Sequence, residues 1–286
     1  MENREMTMPG ATATRLADGE HPLLALLEGT DSVKLKLSAP ETDRFSAAQA
    51  LGMDPLDAHV RLVHFFDTPE LALLGSGLVL RARRLHGHRE DARLTLRHVT
   101  PRALPRALRH SSALSVEVAA LPGGAACTTG LKSRPRTGDV ARAAAGELPV
   151  HALFGKELRD AYRARLPDGP ALDDLVAFGP VVVLKLKYTP EVLGRRLVGE
   201  LWHLPGGEQV LELSTRCHPE DALAALAETR AFLARYGVEA TGGPEPTRRA
   251  LELLADPTSR QRPAARRDPP RPSVAGRADG NRRSTA

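Results

Sequence analysis

The stretch that decides the fold lies between residues 64 and 84. It reads His64-Phe65-Phe66-Asp67-Thr68-Pro69-Glu70-Leu71 and, after a short gap, Leu78-Val79-Leu80-Arg81-Ala82-Arg83-Arg84. The first part closes a strand that we predict over residues 59–67, because Thr68-Pro69 is a turn signal. The second part alternates, so that Val79, Arg81 and Arg83 share one face of the next strand. Two strands joined by a short turn, one of them with a basic face, are therefore predicted here.

Similar alternating runs recur along the chain and predict eight strands in two groups. They cover residues 33–37, 59–67, 78–84, 92–99, 114–119, 181–188, 195–204 and 209–216. The segment between the two groups reads as helical over residues 140–147 and 156–165, and two further helices are predicted over residues 219–236 and 246–254. Short alternating strands of this kind favour an antiparallel barrel or sandwich over a doubly wound sheet.

The polar faces of the predicted strands are strongly cationic. They carry Lys34, Lys36, Arg81, Arg83, Arg93, Arg97, Lys185, Lys187 and Arg216. On an ordinary half-buried strand these side chains would face solvent. If the amphipathic helices instead cover the apolar faces from outside, the cationic faces turn inward and line a closed barrel.

A cationic bore repels itself unless it holds water and a polyanion. Arginine forks match phosphate oxygens in bidentate geometry, and lysine adds point charges, so a chain of phosphates is the natural ligand. Three carboxylates lie among the cations, namely Glu117, Glu200 and Glu212. Such oxygens are suited to Mg²⁺ or Mn²⁺, either of which can bridge phosphate oxygens.

The FDTP run at residues 66–69 and Leu80-Arg81-Ala82-Arg83 together resemble the FDTP…LRxR signature of CYTH domains, the triphosphate tunnel metalloenzymes. The later strands of that family are similar to LTLR (94–97), Val116-Glu117-Val118, VVVLKLKYTP (181–190) and RRLVGELWHLPGGEQVLELSTR (195–216). The resemblance covers about residues 31–254. It implies an α+β fold, with an eight-stranded antiparallel barrel that forms a tunnel and helices packed outside.

In that family, basic residues hold a triphosphate and glutamates bind one or two divalent ions. Its members include inorganic, thiamine and RNA triphosphatases and one class of adenylate cyclase. By position, the resemblance implies that the phosphate ligands are Lys34, Lys36, Arg81, Arg83, Arg97, Lys185 and Lys187. It likewise implies that Glu117, Glu200 and Glu212 are both the catalytic carboxylates and the ligands of Mg²⁺ or Mn²⁺.

The first strand departs from the family pattern ExExK, because the corresponding stretch is Ser32-Val33-Lys34-Leu35-Lys36. Both glutamates are missing, and Lys34 adds a repelling charge beside any metal. Two hypotheses follow. The leading one is a protein that binds inorganic triphosphate, polyphosphate or an organic triphosphate with a divalent metal, and whether it also hydrolyses the bound chain is left open. The alternative is a phosphate-binding module without a complete metal site.

The chain of 286 residues has a net charge of +5, and residues 256–286 carry eight arginines and three aspartates, which accounts for all of it. We expect a poorly ordered lead-in over residues 1–30, the tunnel domain over residues 31–255 and a disordered Arg/Pro-rich tail over residues 256–286. A third hypothesis is that this tail contacts nucleic acid; we favour a solvated tail. Without a membrane span or a secretory signal in the sequence, we expect a cytoplasmic protein with a phosphate-rich ligand and no membrane partner.

Overall fold

The computed structural model describes residues 27, 32–38, 47–48, 51–87, 89–104, 106–109, 111–121, 124–238 and 245–256. The expected lead-in, apart from Leu27, and the expected tail, apart from Asp256, lie outside the described residues. Among the helices in these ranges, none combines the length and the apolar character that crossing a bilayer would require. The domain boundaries and the cytoplasmic location stay predictions.

The described strands form a closed barrel. They are β1 (Val33–Ser38), β2 (His59–Asp67), β3 (Leu78–Leu85), β4 (Glu90–Arg97), β5 (Leu114–Leu121), β6 (Gly124–Ser133), β7 (Val176–Tyr188), β8 (Leu197–His203) and β9 (Gln209–Cys217). Their order around the barrel is β1-β5-β6-β4-β3-β2-β7-β8-β9, and β9 pairs with β1 to close the ring. The prediction of a barrel is confirmed.

The prediction of eight antiparallel strands is wrong on two points. The barrel has nine strands, because β6 was not predicted, and it is mixed, because β1 and β5 run parallel, with Val33 opposite Val116. The remaining neighbours are antiparallel. A local alternation of residues shows which face points inward but says nothing about which strand lies alongside or in which direction.

The helices alternate with or follow the strands. They are α1 (Ala72–Gly75), α2 (Arg106–Arg109), α3 (Asp139–Ala144), α4 (Lys156–Arg165), α5 (Ala222–Arg235) and α6 (Pro246–Ala255). Short 3-10 turns occur at Pro55–Asp57, Pro101–Ala103, Val150–Leu153, Leu172–Asp174, Glu191–Leu193, Pro205–Gly207 and Pro219–Asp221. The predicted helices over residues 156–165, 219–236 and 246–254 are confirmed as α4, α5 and α6, whereas the one predicted over residues 140–147 ends earlier, at Ala144.

The outward apolar faces of the strands are covered by helices. On one side, Leu80 of β3 and Leu94 of β4 pack in the same buried cluster as Leu158 of α4. On the other side, Leu213 of β9 packs with Phe232 of α5. Because apolar contacts are satisfied outside, the opposite faces of the same strands must line the interior. This is the arrangement that the amphipathic pattern predicted.

One end of the interior is apolar. Val79, Val183 and Trp202, which lie on the inward faces of their strands, pack in one cluster with Ala250 and Leu251 of α6. The start of α6 then borders the adjoining cavity. The barrel therefore combines an apolar end, sealed by α6, with a polar remainder.

Asp67 of the FDTP run has a structural role. Its side chain is 1% exposed. One carboxylate oxygen accepts hydrogen bonds from the backbone N–H groups of Thr68 at 2.7 Å and Leu73 at 2.8 Å, and the other accepts from Leu74 at 3.0 Å. Two donors in the first turn of α1, on Leu73 and Leu74, and one in the preceding turn, on Thr68, are thereby paired. This motif residue fixes the turn between β2 and β3, and its carboxylate is fully used in doing so.

Candidate anion-binding site

The cationic rows point into the barrel. All nine basic residues that the sequence analysis picked out on strand faces line one of two interior cavities. We call these the Lys34 cavity, of about 340 Å³, and the Lys36 cavity, of about 270 Å³. Arg81 and Glu117 border both cavities, so the two adjoin at these residues. The inward orientation of the rows is therefore confirmed, while their role as phosphate ligands stays a prediction.

The Lys34 cavity is surrounded by an excess of positive charge. Its basic lining residues are Lys34, Arg61, Arg81, Arg83, Arg93, Lys132, Lys185, Lys187, Arg196 and Arg216. Among the described residues, its acidic lining is limited to Asp91, Glu117 and Glu200. Ten cations thus face three carboxylates around one small space, so most of this charge has no internal counter-ion.

The Lys36 cavity is close to electrical balance. Its basic lining residues are Lys36, Arg81, Arg97 and Arg248, and its acidic ones are Glu117, Glu212 and Glu245. Glu245, just before α6, forms an ion pair with Arg97. Most of the remaining lining residues are small or hydroxylated, for example Ser38, Thr95 and Thr128. Arg97, a predicted phosphate ligand, thus already has a carboxylate partner within the protein.

An alternating network of charges crosses the interior. In order it consists of Arg61, Glu200, Lys34, Glu212, Lys36, Glu117 and Arg93. The outer pairs, Arg61 with Glu200 and Arg93 with Glu117, are both 2.8 Å apart. This network contains all three glutamates predicted as metal ligands, and each of them contacts at least two basic side chains.

The central members of the network stabilise each other's charge. The Lys36 ammonium lies 3.0 Å from Glu117 and 3.2 Å from Glu212. Burial alone would favour the neutral amine, but these two carboxylates raise the pKa of Lys36 above its ordinary value. Burial likewise opposes the ionised form of Glu117, yet Arg93 and Lys36 hold the pKa of this carboxyl well below its usual range. Glu117 is therefore a firmly ionised counter-ion.

Arg83 and Asp91 form a second buried pair in the Lys34 cavity. The guanidinium donates two parallel hydrogen bonds, from Nε at 2.7 Å and from Nη2 at 2.6 Å. Burial counteracts ionisation, but the contact with Asp91 raises the pKa of Arg83, and Arg83 lowers the pKa of Asp91. A bidentate pair of this kind holds the guanidinium plane in a fixed orientation.

Several guanidinium donors that face the interior have no acceptor among the described residues. They are Nε of Arg81, Nε and Nη2 of Arg93, and Nη1 of Arg97, all of them buried. Burial, together with the nearby Arg83 and Arg93, lowers the pKa of Arg81 to about 10. Buried donors without partners are costly in a folded protein and indicate an acceptor such as an anion or ordered water. Arg81 and Arg93 line the Lys34 cavity, where the cation excess is greatest, whereas Arg97 lines the Lys36 cavity.

Arg93 owes its position to a glycine. Its guanidinium lies across Gly130 of β6, where a Cβ atom would stand 2.3 Å from both Nε and Nη2. Arg93 itself is 3% exposed. Any side chain at residue 130 would push the guanidinium away. Gly130 is therefore a positioning residue for this buried cation.

Two lysines in the Lys34 cavity have a pKa well below the ordinary value of lysine, although both are still mostly protonated at pH 7. Burial, with contributions from Arg93 and Arg83, lowers the pKa of Lys132 to about 8. Burial, with a contribution from Arg61, lowers the pKa of Lys185 to about 8 as well. Both lowered pKa values reflect burial first and repulsion from neighbouring cations second.

The glutamates as they stand do not fit a divalent metal. A Mg²⁺ or Mn²⁺ site requires oxygen ligands that converge on one point. Within the described part of the chain, no group of three or more His, Cys, Asp or Glu side chains could hold a metal ion. Instead, the Lys34 ammonium lies between Glu200 and Glu212, at 3.7 Å and 4.0 Å. The roles of Glu117, Glu200 and Glu212 in metal binding and catalysis stay predictions.

Several residues of the site were not predicted from the sequence. Arg61, Lys132 and Arg196 line the Lys34 cavity and were not picked out, and Arg93 and Arg216 were seen as cations but were not proposed as ligands. Lys132 lies on β6, which was not predicted. Arg61 lies on the predicted strand β2, two residues before a register shift between Val63 and Phe65 that interrupts the alternation. Before that shift, Arg61 occupies an inward-facing position in the alternation of β2. This position is the signal that could have identified it.

Comparison with known proteins supports the fold. No protein-family model matches the chain, and no curated protein matches it in sequence. The candidate adenylyl cyclase HpAC1 from Hippeastrum, described with a dominant triphosphatase activity, is similar in structure, with a TM-score of 0.54 at 16% identity over 76% of this chain and 93% of that one. A candidate adenylate cyclase from Bacillus halodurans has a TM-score of 0.53 at 13% identity, over 77% and 98%. These similarities concern the fold and are consistent with the resemblance to CYTH domains.

Proposed function

We propose that the protein binds a triphosphate or a longer phosphate chain in the Lys34 cavity. The observation that carries the proposal is the imbalance of ten basic against three acidic side chains around that space. Like charges held together in a partly desolvated cavity are unfavourable unless an anion joins them. A ligand with many negative charges in a small volume relieves this repulsion best.

The donor types favour phosphate over a single carboxylate. Guanidinium groups of Arg81 and Arg93 offer N–H donors that have no acceptor among the described residues and that suit phosphate oxygens, and Lys34 and Lys185 add point charges from other strands. These donors come from strands β1, β3, β4 and β7, so they surround the cavity. A short linear polyanion can contact donors on several sides, whereas a single small anion cannot.

Hydrolysis of the bound chain is the second candidate function, and the fold similarity to HpAC1, with its described triphosphatase activity, supports it. Phosphoryl transfer asks mainly for positioning and for stabilisation of charge that develops on the leaving phosphate. The arginines of the Lys34 cavity are suited to this. Glu117 is poorly suited to accept a proton from water, because Arg93 and Lys36 keep its pKa far below neutral pH.

Calorimetry with tripolyphosphate tests the proposed binding. The variant Arg81→Ala/Arg83→Ala removes two cavity cations, and Arg163→Ala/Arg165→Ala removes two exposed arginines from α4 as a matched control. We expect the first variant to bind at least about 30-fold more weakly and the control to bind as the wild type does, since only the first loses contacts with the ligand. Equal affinity of the two variants would contradict the site. Phosphate release by the same proteins tests hydrolysis.

A further inference from the structure

We propose that this site selects the metal-free phosphate chain over its magnesium complex, because the ammonium groups of Lys34 and Lys36 take the place of a divalent cation. This inference rests on the proposed function, since it specifies the form of ligand that the same cavity accepts. It specifies the form of the ligand: an unchelated phosphate chain is preferred over the same chain carrying Mg²⁺.

The ammonium groups of Lys34 and Lys36 lie between the carboxylates of the network. Lys34 Nζ lies 3.7 Å from Glu200 and 4.0 Å from Glu212, and Lys36 Nζ lies 3.2 Å from Glu212. Lys36 Nζ is also 3.0 Å from Glu117. The positive charges thus already occupy the gaps between successive carboxylates. A divalent ion that used these oxygens would have to displace an ammonium group into a cavity that is already strongly positive.

The network ends in an arginine on each side. Arg61 contacts Glu200 and Arg93 contacts Glu117, both at 2.8 Å. The three carboxylates are therefore matched by four cations within the network, which leaves little negative charge to attract a metal. Since Mg²⁺ gives up its water reluctantly and needs strongly negative oxygen ligands, these glutamates are poor competitors for it.

Phosphate oxygens that are not bound to a metal can accept hydrogen bonds from the cavity. Arg81 and Arg93 present buried N–H groups that have no acceptor among the described residues. Every oxygen of a metal-free chain can accept from such donors, whereas a chelated chain has committed some oxygens to the metal. The bound metal also carries its own positive charge into the Lys34 cavity, where Lys185 and Arg216 add to the repulsion. Chelation should therefore weaken binding.

The main experiment measures tripolyphosphate affinity by calorimetry in EDTA and in excess MgCl₂, with NaCl matching the ionic strength. We expect binding in EDTA to be at least about tenfold tighter, a difference of about 1.4 kcal/mol. Binding that requires Mg²⁺, or that is equal in both buffers, would overturn this inference and leave the proposed function intact. Failure to bind in either buffer would overturn the proposed function itself.

A variant of Lys34 provides an independent readout. Lys34→Glu places a third carboxylate beside Glu200 and Glu212, and Lys156→Glu changes an exposed lysine on α4 as the matched control. Mn²⁺ uptake without phosphate, followed by electron paramagnetic resonance, is expected only in Lys34→Glu. If that variant fails to fold, Lys34→Met removes the ammonium without adding an acid and should lower affinity in EDTA by about tenfold. Mn²⁺ uptake by the wild type, or unchanged affinity of Lys34→Met, would overturn the inference.

Discussion

The two cavities of the barrel share Arg81 and Glu117, yet they differ in how far their basic side chains are balanced by carboxylates. Around the Lys36 cavity, four basic residues face three acidic ones, and Glu245 supplies a carboxylate to Arg97. Around the Lys34 cavity, ten basic residues face three acidic ones. The comparison teaches that the presence of arginine or lysine in an interior is a weak sign of a ligand. The excess over internal carboxylates is the informative quantity, because only the excess requires an anion from outside.

The largest expected effect separates the cavities directly. Lys132→Gln/Lys185→Gln and Arg97→Gln/Arg248→Gln each remove two cations, the first pair from the Lys34 cavity and the second from the Lys36 cavity. At pH 7 we expect about a 100-fold loss of tripolyphosphate affinity, about 2.7 kcal/mol, for the lysine pair. For the arginine pair we expect less than about a threefold loss, because the cations of the Lys36 cavity are nearly balanced by carboxylates and attract the ligand little. Calorimetry on both variants measures this, and a reversed order would place the ligand in the Lys36 cavity.

A smaller effect is expected from Gly130→Ala, which alters the Lys34 cavity without changing its charge. The new Cβ would meet Arg93 at 2.3 Å, so the guanidinium has to move. We expect about a tenfold loss of affinity, because one buried donor group is misplaced. Gly155→Ala is the control, since its Cβ would meet its nearest neighbour, Ser133, at 3.6 Å, an ordinary contact. Wild-type affinity in Gly130→Ala would show that the position of Arg93 is unimportant for binding.

Because the excess charge lies around the Lys34 cavity, the affinity for the anion should depend on the protonation of its lysines. In the ligand-free protein the pKa of Lys132 and of Lys185 is about 8, below the ordinary 10.5. Protonated amines attract the anion, so affinity should already fall by about fivefold between pH 7 and about pH 8.3. The unfolded chain binds more protons in the window from about pH 8 to about pH 10.5, so the stability of the ligand-free protein should instead rise across it.

Calorimetry and thermal denaturation over this range measure the two trends. Lys132→Arg/Lys185→Arg is the matched control, because arginine keeps its charge and should remove most of the loss of affinity at high pH. An affinity that is independent of pH in the wild type would argue that these two lysines do not face the ligand.

The smallest effect is expected from Glu245→Gln. This change deprives Arg97 of its carboxylate partner and leaves the Lys36 cavity with one more uncompensated cation. If the ligand is confined to the Lys34 cavity, affinity should change by less than about twofold, as expected for a remote, partly exposed charge. A gain of tenfold or more would mean that the phosphate chain reaches Arg97 and that the distinction between the cavities is wrong.

Much of the barrel could be predicted because charge and apolarity alternate on its strands. In β1, Lys34 and Lys36 point inward while Val33 and Leu35 are buried outside. Strand β6 escaped prediction for a physical reason. Its inward residues Ala126, Thr128 and Gly130 are small, since they leave space for the interior and for Arg93, and small residues blur the alternation that marks a strand.

The sequence could predict which basic residues face the interior, but it could not predict which carboxylate pairs with which cation. The parity of each strand shows that its basic face is distinct from its apolar face, which was enough to expect that Arg81 and Lys185 line a common interior. Which carboxylate meets which cation depends on strand order and register. Glu245, far along the chain from Arg97, approaches it only because α6 packs against the end of the barrel. No local pattern contains that information.

The closing of the ring by β1 has a consequence for how the chain acquires its structure. β1 pairs with β5 on one side and with β9 on the other, so the ring cannot be completed until Gln209–Cys217 has been synthesised. Contacts between segments so distant in sequence form slowly, because a long loop must be closed first. Until β1 has paired with both neighbours, β5 and β9 each present an unpaired edge, and such edges favour aggregation.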